Sequence, residues 1–247
     1  MYRQLSEALA KDFMRNPIDY VAEADLQTRL VELLRSELSP AVATANGIGL
    51  KGTSEDSFKR DYWQTIEQKL ADSGKMNRVH AELSVEQGER LDVAVFKSEL
   101  RHPVEWVAGG SKRFNEEDID CVYELKFVKN KTSFPKQPGN PISELAENSP
   151  SQMQRVLDFN ENKIRADIQE LNRLSDVRGR FLLLFSNNNY LYHDPTQTEK
   201  DSYRYGELYH RMGKAAREWL KQEADDGVEI LYAHPRGMTW LTDPGAW

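Results

Sequence analysis

Hydrophobic and polar residues repeat along this chain with two periods, and the change between them divides it. From Ile18 to Leu38 the apolar residues Val21, Leu26, Leu30, Leu33, Leu34 and Leu38 recur at helical spacing, with Pro17 at a favourable first-turn position and Pro40 past the end. An amphipathic helix is expected. Asp56 to Ala71 repeats the pattern with Phe58, Tyr62, Trp63, Ile66 and Leu70, following the small, Gly-containing stretch Ala41 to Gly52 that reads as a loop. At Arg78 the period shortens to two, as Val79, Ala81, Leu83 and Val85 alternate with His80, Glu82 and Ser84. Gln87-Gly88 marks a turn, and Leu91 to Phe96 and Asp120 to Val128 are rich in β-branched and aromatic residues, so three strands are expected in succession.

Lys129 to Pro150 carries Pro135, Pro138, Pro141 and Pro150 among few apolar residues, which predicts a long loop that is mobile or functional. Ile164, Ile168, Leu171 and Leu174 then mark a helix, and Arg180 to Ser186 is an almost wholly apolar run expected to be a central strand buried on both faces. Tyr205, Leu208, Met212, Ala215 and Trp219 trace another helical face, and Val228 to Ala233 follows Asp225-Asp226-Gly227 as a last strand. The order of elements predicts an α/β fold, a mixed sheet flanked by helices, in a single domain over 1–247. Its parts are a helical N-terminal region (1–77), the sheet and its helix (78–186) and a C-terminal helix-strand extension (187–247).

Composition narrows the setting. The chain has 247 residues, 39% of them hydrophobic, enough for a real buried core. Its longest apolar run, Phe181 to Phe185, is far short of the roughly 20 residues of a membrane span. Met1 to Arg15 is charged throughout, unlike a secretory signal, and the single cysteine, Cys121, allows neither an intrachain disulfide nor a cysteine-cluster zinc site. A cytoplasmic protein with no membrane partner is expected. The net charge of -7 means that any contact with nucleic acid must use a local basic patch. Lys112-Arg113, the stretch Lys126 to Lys136 with Lys129 and Lys131, and Lys163 with Arg165 are the candidates, against the plain alternative of solvated loops. Phe114 and Phe134 lie among them and offer faces on which unpaired bases can stack.

Three charges sit where strands are expected to be buried. Asp92 lies in Leu91-Asp92-Val93-Ala94-Val95-Phe96, and Glu124 and Lys126 lie in Cys121-Val122-Tyr123-Glu124-Leu125-Lys126-Phe127-Val128, two apart and so on one face. Buried charge is costly unless paired or bound to a cation. A structural ion pair is the simplest account, since Glu-x-Lys arises by chance about once in a chain of this size. The alternative is a site for phosphodiester hydrolysis. There two carboxylates hold a hard divalent cation, the Leu125 carbonyl adds a ligand, and the lysine orients or deprotonates the attacking water.

Asp92 on the second strand with Glu124-Leu125-Lys126 on the third resembles the signature of the PD-(D/E)xK nuclease superfamily, and the order helix, three strands, helix, strand resembles its restriction-endonuclease-like core. Leu91 stands where that family often has proline. The resemblance implies an α-β-β-β-α-β core with an extra N-terminal helix, a Mg²⁺ cofactor for which Mn²⁺ substitutes, and hydrolysis of DNA, or alternatively RNA. It makes Asp92 and Glu124 metal ligands, Lys126 the group serving the water, and Glu23 the first-helix carboxylate that assists. Glu32 competes for that last role, and Glu82 is a further possible ligand. Because a double-strand break calls for two sites, a homodimer is compatible with this reading.

Other chemistries find less support. His80, His102, His193, His210 and His234 form no metal-binding pair at helical or strand spacing. Gly47-Ile48-Gly49 and Gly109-Gly110 lack the context of a phosphate loop, and no Gly-x-Ser-x-Gly exists. Two non-catalytic classes stay open: a nucleic-acid-binding subunit that keeps the fold, and an interaction module whose acidic surface meets a basic partner.

Overall fold

The computed structural model describes residues 1–43, 57–85, 90–102, 105–106, 112–128, 163–192, 213–214 and 216–244. The expected Lys129 to Pro150 loop, the Gln87-Gly88 turn and most of the expected helix from Tyr205 lie outside the described residues, as do Lys129 and Lys131. Five helices matter below: α1 (Tyr2–Arg15), α2 (Glu23–Glu37), α3 (Ser57–Ser73), α4 (163–173) and α5 (216–223). The principal sheet has six strands: β1 (Val79–Ser84), β2 (Arg90–Phe96), β3 (Ile119–Val128), β4 (Gly179–Ser186), β5 (Val228–His234) and β6 (Gly237–Trp240). Their order in the sheet follows their order in the sequence, with three short strands of other sheets lying between β2 and β3.

β1, β2 and β3 pair antiparallel, β3, β4 and β5 pair parallel, and β6 returns antiparallel to β5. Parallel neighbours require a crossover, and α4 and α5 lie within the two crossovers. This is an α/β fold with a mixed sheet flanked by helices. β4 is buried at every residue, because it is central and covered on both faces, as its unbroken apolar run predicts. One face packs Val93, Val95, Tyr123, Leu183 and Leu231 against Leu9 and Phe13 of α1 and Leu26, Leu30 and Leu34 of α2. The other packs Ala94, Val122, Leu182, Leu184 and Ile230 against Ile164, Ile168 and Leu171 of α4 and Trp219 and Leu220 of α5.

Buried polar groups pin the second layer in place. The guanidinium of Arg180 donates to Leu171 O (3.0 Å) near the end of α4 and to Asp226 O (2.9 Å). Such bonds satisfy carbonyls that a helix end leaves unpaired. Asn172 donates to Glu223 O (2.8 Å), tying α4 to α5.

Several boundaries differ from the sequence reading. The expected helix from Ile18 begins only at Glu23. Pro17 instead opens a single 3-10 turn, Pro17–Asp19, and the Asp25 carboxylate accepts the backbone N–H groups of Val21 and Ala22 (2.8 Å each), holding the chain extended just before α2. Val21, read as part of the apolar face, is exposed for that reason. α1 and the short β6 are additional elements. The start of the expected Ala41 to Gly52 loop, Ala41–Ala43, is a short strand between Lys75–Met76 and Glu99–Leu100. Among the described residues no helix is long and apolar enough to cross a membrane.

Candidate metal centre where two strands part

β2 and β3 are paired from Phe96↔Ile119 to Val93↔Tyr123, and their recorded pairing goes no further toward the start of β2. Beyond that fork, backbone N–H groups of β3 need other acceptors. Carboxylates supply them. Leu125 N donates to Asp92 Oδ2 (2.9 Å), and Phe127 N donates to Glu23 Oε2 (3.1 Å), so the first residue of α2 reaches the sheet from the opposite layer. Asp92 N in turn donates to Glu124 Oε1 (3.3 Å). The fork thus brings Asp92, Glu124 and Glu23 together through the backbone.

A local break in the pleat accompanies the fork. Strict alternation would put Leu91 on the face of Val93, yet Leu91 packs with the α4 layer and Val93 with the α2 layer. Glu82, on the paired strand between Ala81↔Val93 and Leu83↔Leu91, has φ +56°, a left-handed conformation that side-chain-bearing residues adopt at a cost. Its carboxylate pairs with Arg90 and accepts from Gln27 Nε2 (3.3 Å), which also donates to Asp92 O (2.6 Å). Glu82 therefore props the Asp92 backbone through Gln27.

Lys126 points to the α4 layer. Its Nζ lies 3.0 Å from Asp167 Oδ2, 3.3 Å from Leu125 O and 3.5 Å from Glu23 Oε1. Glu124, two residues before it on the same face, is not among its ion-pair partners. Glu124 is only 3% exposed, and its second oxygen makes no hydrogen bond with the described residues. Glu170, one turn beyond Asp167, also faces this acid group, and its Oε1 is buried with no hydrogen-bond partner among the described residues. Asp167 and Glu170 escape a reading by strand charges. Asp167, however, falls in the apolar stripe of α4, three residues after Ile164 and four before Leu171, and an acid there is the signal that could have found it.

Electrostatics follow from one ammonium among several carboxylates. Burial first, then the charges of Asp92, Asp167 and Glu170, push the Glu124 carboxyl well above its ordinary range. Burial raises Asp167 to about 6 despite Lys126, and burial with Asp167 and Asp92 raises Glu170 to about 7. Burial alone would lower the Lys126 ammonium, but Asp167 and Glu23 outweigh it and its pKa rises. Among the described residues the site is short of positive charge. Among the described residues no three His, Cys, Asp or Glu side chains form a ready-made ligand group, because the carboxylates turn to backbone N–H groups and to Lys126. Their chemistry nevertheless suits a hard divalent cation: all donors are oxygens, and Glu124 retains an oxygen without a hydrogen bond to the described residues.

The remaining candidates are placed elsewhere or engaged. Glu32 pairs with Arg29 (3.0 Å) on the outer surface of α2. Arg165 pairs with Glu223 (3.5 Å) and lies 5.5 Å over the Trp219 ring, while Lys163 is exposed at the start of α4. Lys112–Arg113 pairs with Glu105–Trp106 as a small ribbon. Cys121 is buried and its thiol is pushed up by burial, which leaves it without thiolate reactivity. Comparisons with known protein families, with curated proteins and with solved structures give no match.

Proposed function

We propose that this chain is a divalent-cation-dependent nuclease of restriction-endonuclease-like fold that hydrolyses phosphodiester bonds, in DNA first of all. The observation that carries this reading is the fork itself: Asp92, Glu124, Lys126 and Glu23 come from three separate elements and meet where β2 leaves β3. A structural ion pair alone has no need of Glu124, whose buried carboxylate is not an ion-pair partner of Lys126 and is raised first by burial and then by its acidic neighbours.

Asp92, Glu124 and the Leu125 carbonyl would hold Mg²⁺, with Mn²⁺ as a substitute. Such a cation supplies charge neutralisation at a phosphate and makes water acidic enough to attack at neutral pH. The protein's own part is positioning. Lys126, kept as an ammonium by Asp167 and Glu23, can donate to the attacking water or a phosphate oxygen, and is better suited to orienting that water than to deprotonating it. Lys163 and Lys112-Arg113, with Lys129 and Lys131, are proposed phosphate contacts flanking β3 and α4; Arg165 would have to leave Glu223 to join them.

The test is a cleavage screen over plasmid, single-stranded and structured DNA, and RNA, with Mg²⁺, Mn²⁺, Ca²⁺ or chelator. Products are expected with Mg²⁺ and Mn²⁺, few with Ca²⁺, whose looser coordination places water poorly, and none with chelator. Cleavage should vanish in folded Asp92→Asn and Glu124→Gln proteins. No cleavage of any substrate, or equal cleavage by those variants, contradicts the proposal.

A further inference from the structure

We infer that Asp167, on the crossover helix α4, is a positioning residue that fixes the ammonium of Lys126 for the cleavage proposed above. The chemistry rests on that reading; the assignment rests on geometry. A lysine ammonium has three donors and no acceptor, and here Nζ donates to Leu125 O at 3.3 Å and forms ion pairs with Asp167 Oδ2 at 3.0 Å and Glu23 Oε1 at 3.5 Å, which leaves donor capacity for water or a phosphate oxygen. Asp167 is the nearest of them. It is also the better shielded carboxylate, with 14% of its side chain exposed against 41% for Glu23, so water screens its pull on Nζ less.

The place of Asp167 in the fold suits the task. It sits between Ile164 and Leu171 on the buried face of a helix whose far end is held by Arg180 and Asn172, and a side chain on such an element is more precisely placed than one on a loop. Glu23, by contrast, is the first residue of its helix. The direction of the pull has a consequence at Glu124. Lys126 and Glu124 share one face of β3, and an untethered ammonium would find the buried Glu124 carboxylate its natural partner. By drawing Nζ toward α4, Asp167 keeps the cation of Lys126 from neutralising the carboxylate that the proposed metal site requires. A sequence reader sees only an acid in an apolar stripe; its function is to keep two charges on neighbouring positions of β3 apart.

The experiment compares wild type with Asp167→Ala, Asp167→Asn, Lys126→Met and the double variant Lys126→Met/Asp167→Ala, each confirmed folded. At saturating Mg²⁺ and nucleic acid, Asp167→Ala should lower turnover roughly 10–100-fold, the cost of misplacing a catalytic group, with KM for nucleic acid within about two-fold. Asp167→Asn, which keeps the shape and an acceptor oxygen, should retain more activity than Asp167→Ala. The double variant should cut no more slowly than Lys126→Met alone, because Asp167 acts only through Lys126. A second readout needs no activity: in ¹⁵N-lysine-labelled protein, the exchange-protected ammonium signal of Lys126 should be lost in Asp167→Ala and kept in Glu23→Gln. Wild-type turnover in Asp167→Ala, an equal further loss when Asp167→Ala is added to Lys126→Met, or a protected ammonium signal persisting in Asp167→Ala overturns the assignment. If wild type cuts no substrate, the proposed function fails by itself, and the ammonium signal still decides whether Asp167 holds Lys126.

Discussion

The two ends of β3 treat buried charge in opposite ways. At its start, Asp120 accepts from the Tyr2 hydroxyl (2.5 Å) and pairs with Arg178 (3.0 Å) and Arg78 (3.6 Å). One carboxylate there has two guanidinium partners, and Arg78 is itself anchored by donating to Phe96 O (2.8 Å). At its end, Asp92, Glu124, Asp167, Glu170 and Glu23 share one ammonium among the described residues, that of Lys126. The same strand therefore carries a carboxylate fully compensated by cations, which fastens α1 to the sheet, and an acid-rich group in which Glu124, Asp167 and Glu170 are raised. Balance serves structure, whereas an uncompensated excess of acid lowers stability unless a cation relieves it.

The sharpest way to break this contrast is Lys126→Met. If the acid-rich end is catalytic, the variant should still bind metal and nucleic acid but cut at least about 100-fold more slowly, the lower end of what a positioned acid-base group contributes. If it is a structural ion pair, the same change should instead cost about 3–5 kcal/mol of stability, with no effect of metal on wild type. Cleavage rates and denaturant unfolding on the same samples separate the two. The opposite end should behave in the opposite sense: Asp120→Asn should cost roughly 3 kcal/mol, because two guanidinium groups lose their counter-charge, while cleavage stays within about two-fold of wild type. Glu124→Gln in chelator should be tolerated or stabilising, since it removes one of the repelling charges.

The pH dependence sharpens the comparison further. A carboxyl whose pKa is raised by folding binds its proton more tightly in the native state, so native protein holds more protons than unfolded protein between the two values. With Asp167 at about 6 and Glu170 at about 7, against ordinary values near 4, the contribution of these groups to stability should fall as pH rises from about 4 to about 7. Melting temperatures in chelator should show that decline, and Glu170→Gln should flatten its upper part. The smallest effects belong to α2. Glu23→Gln should reduce cleavage about ten-fold by weakening one of the acceptors around Lys126, while Glu32→Gln, which loses only an exposed pair with Arg29, should cost about 0–1 kcal/mol and leave cleavage unchanged.

What the sequence made legible follows from where charge is unusual. Asp92, Glu124 and Lys126 stood out because strand period placed them among residues expected to be buried, and the structure brings all three to the fork. Glu23 against Glu32 was an open choice, since residues nine apart on a helix point about 180° apart, and the bond from Phe127 N favours Glu23. Glu170 was hidden because acids on a helix ordinarily need no account, and Asp167 offered only the slight signal of an acid in the apolar stripe of α4; tertiary packing shows that this pair turns to the sheet. α1 was hidden differently. Its buried face includes Ser6 and Ala10 beside Leu9 and Phe13, so small and polar residues dilute the periodicity that revealed α2. The β2–β3 fork has no sequence signature at all, being a loss of pairing after Val93↔Tyr123 and not a residue type.

The measurement that tests the central claim most directly is a Mn²⁺ titration followed by melting temperature and calorimetry in wild type, Glu124→Gln and Asp120→Asn. A cation that fills the acid-rich end binds the native state and stabilises it by mass action. Wild type should show a saturable rise in melting temperature, Asp120→Asn the same rise from a lower starting point, and Glu124→Gln little or none. No rise in wild type, or an undiminished rise in Glu124→Gln, would contradict the account.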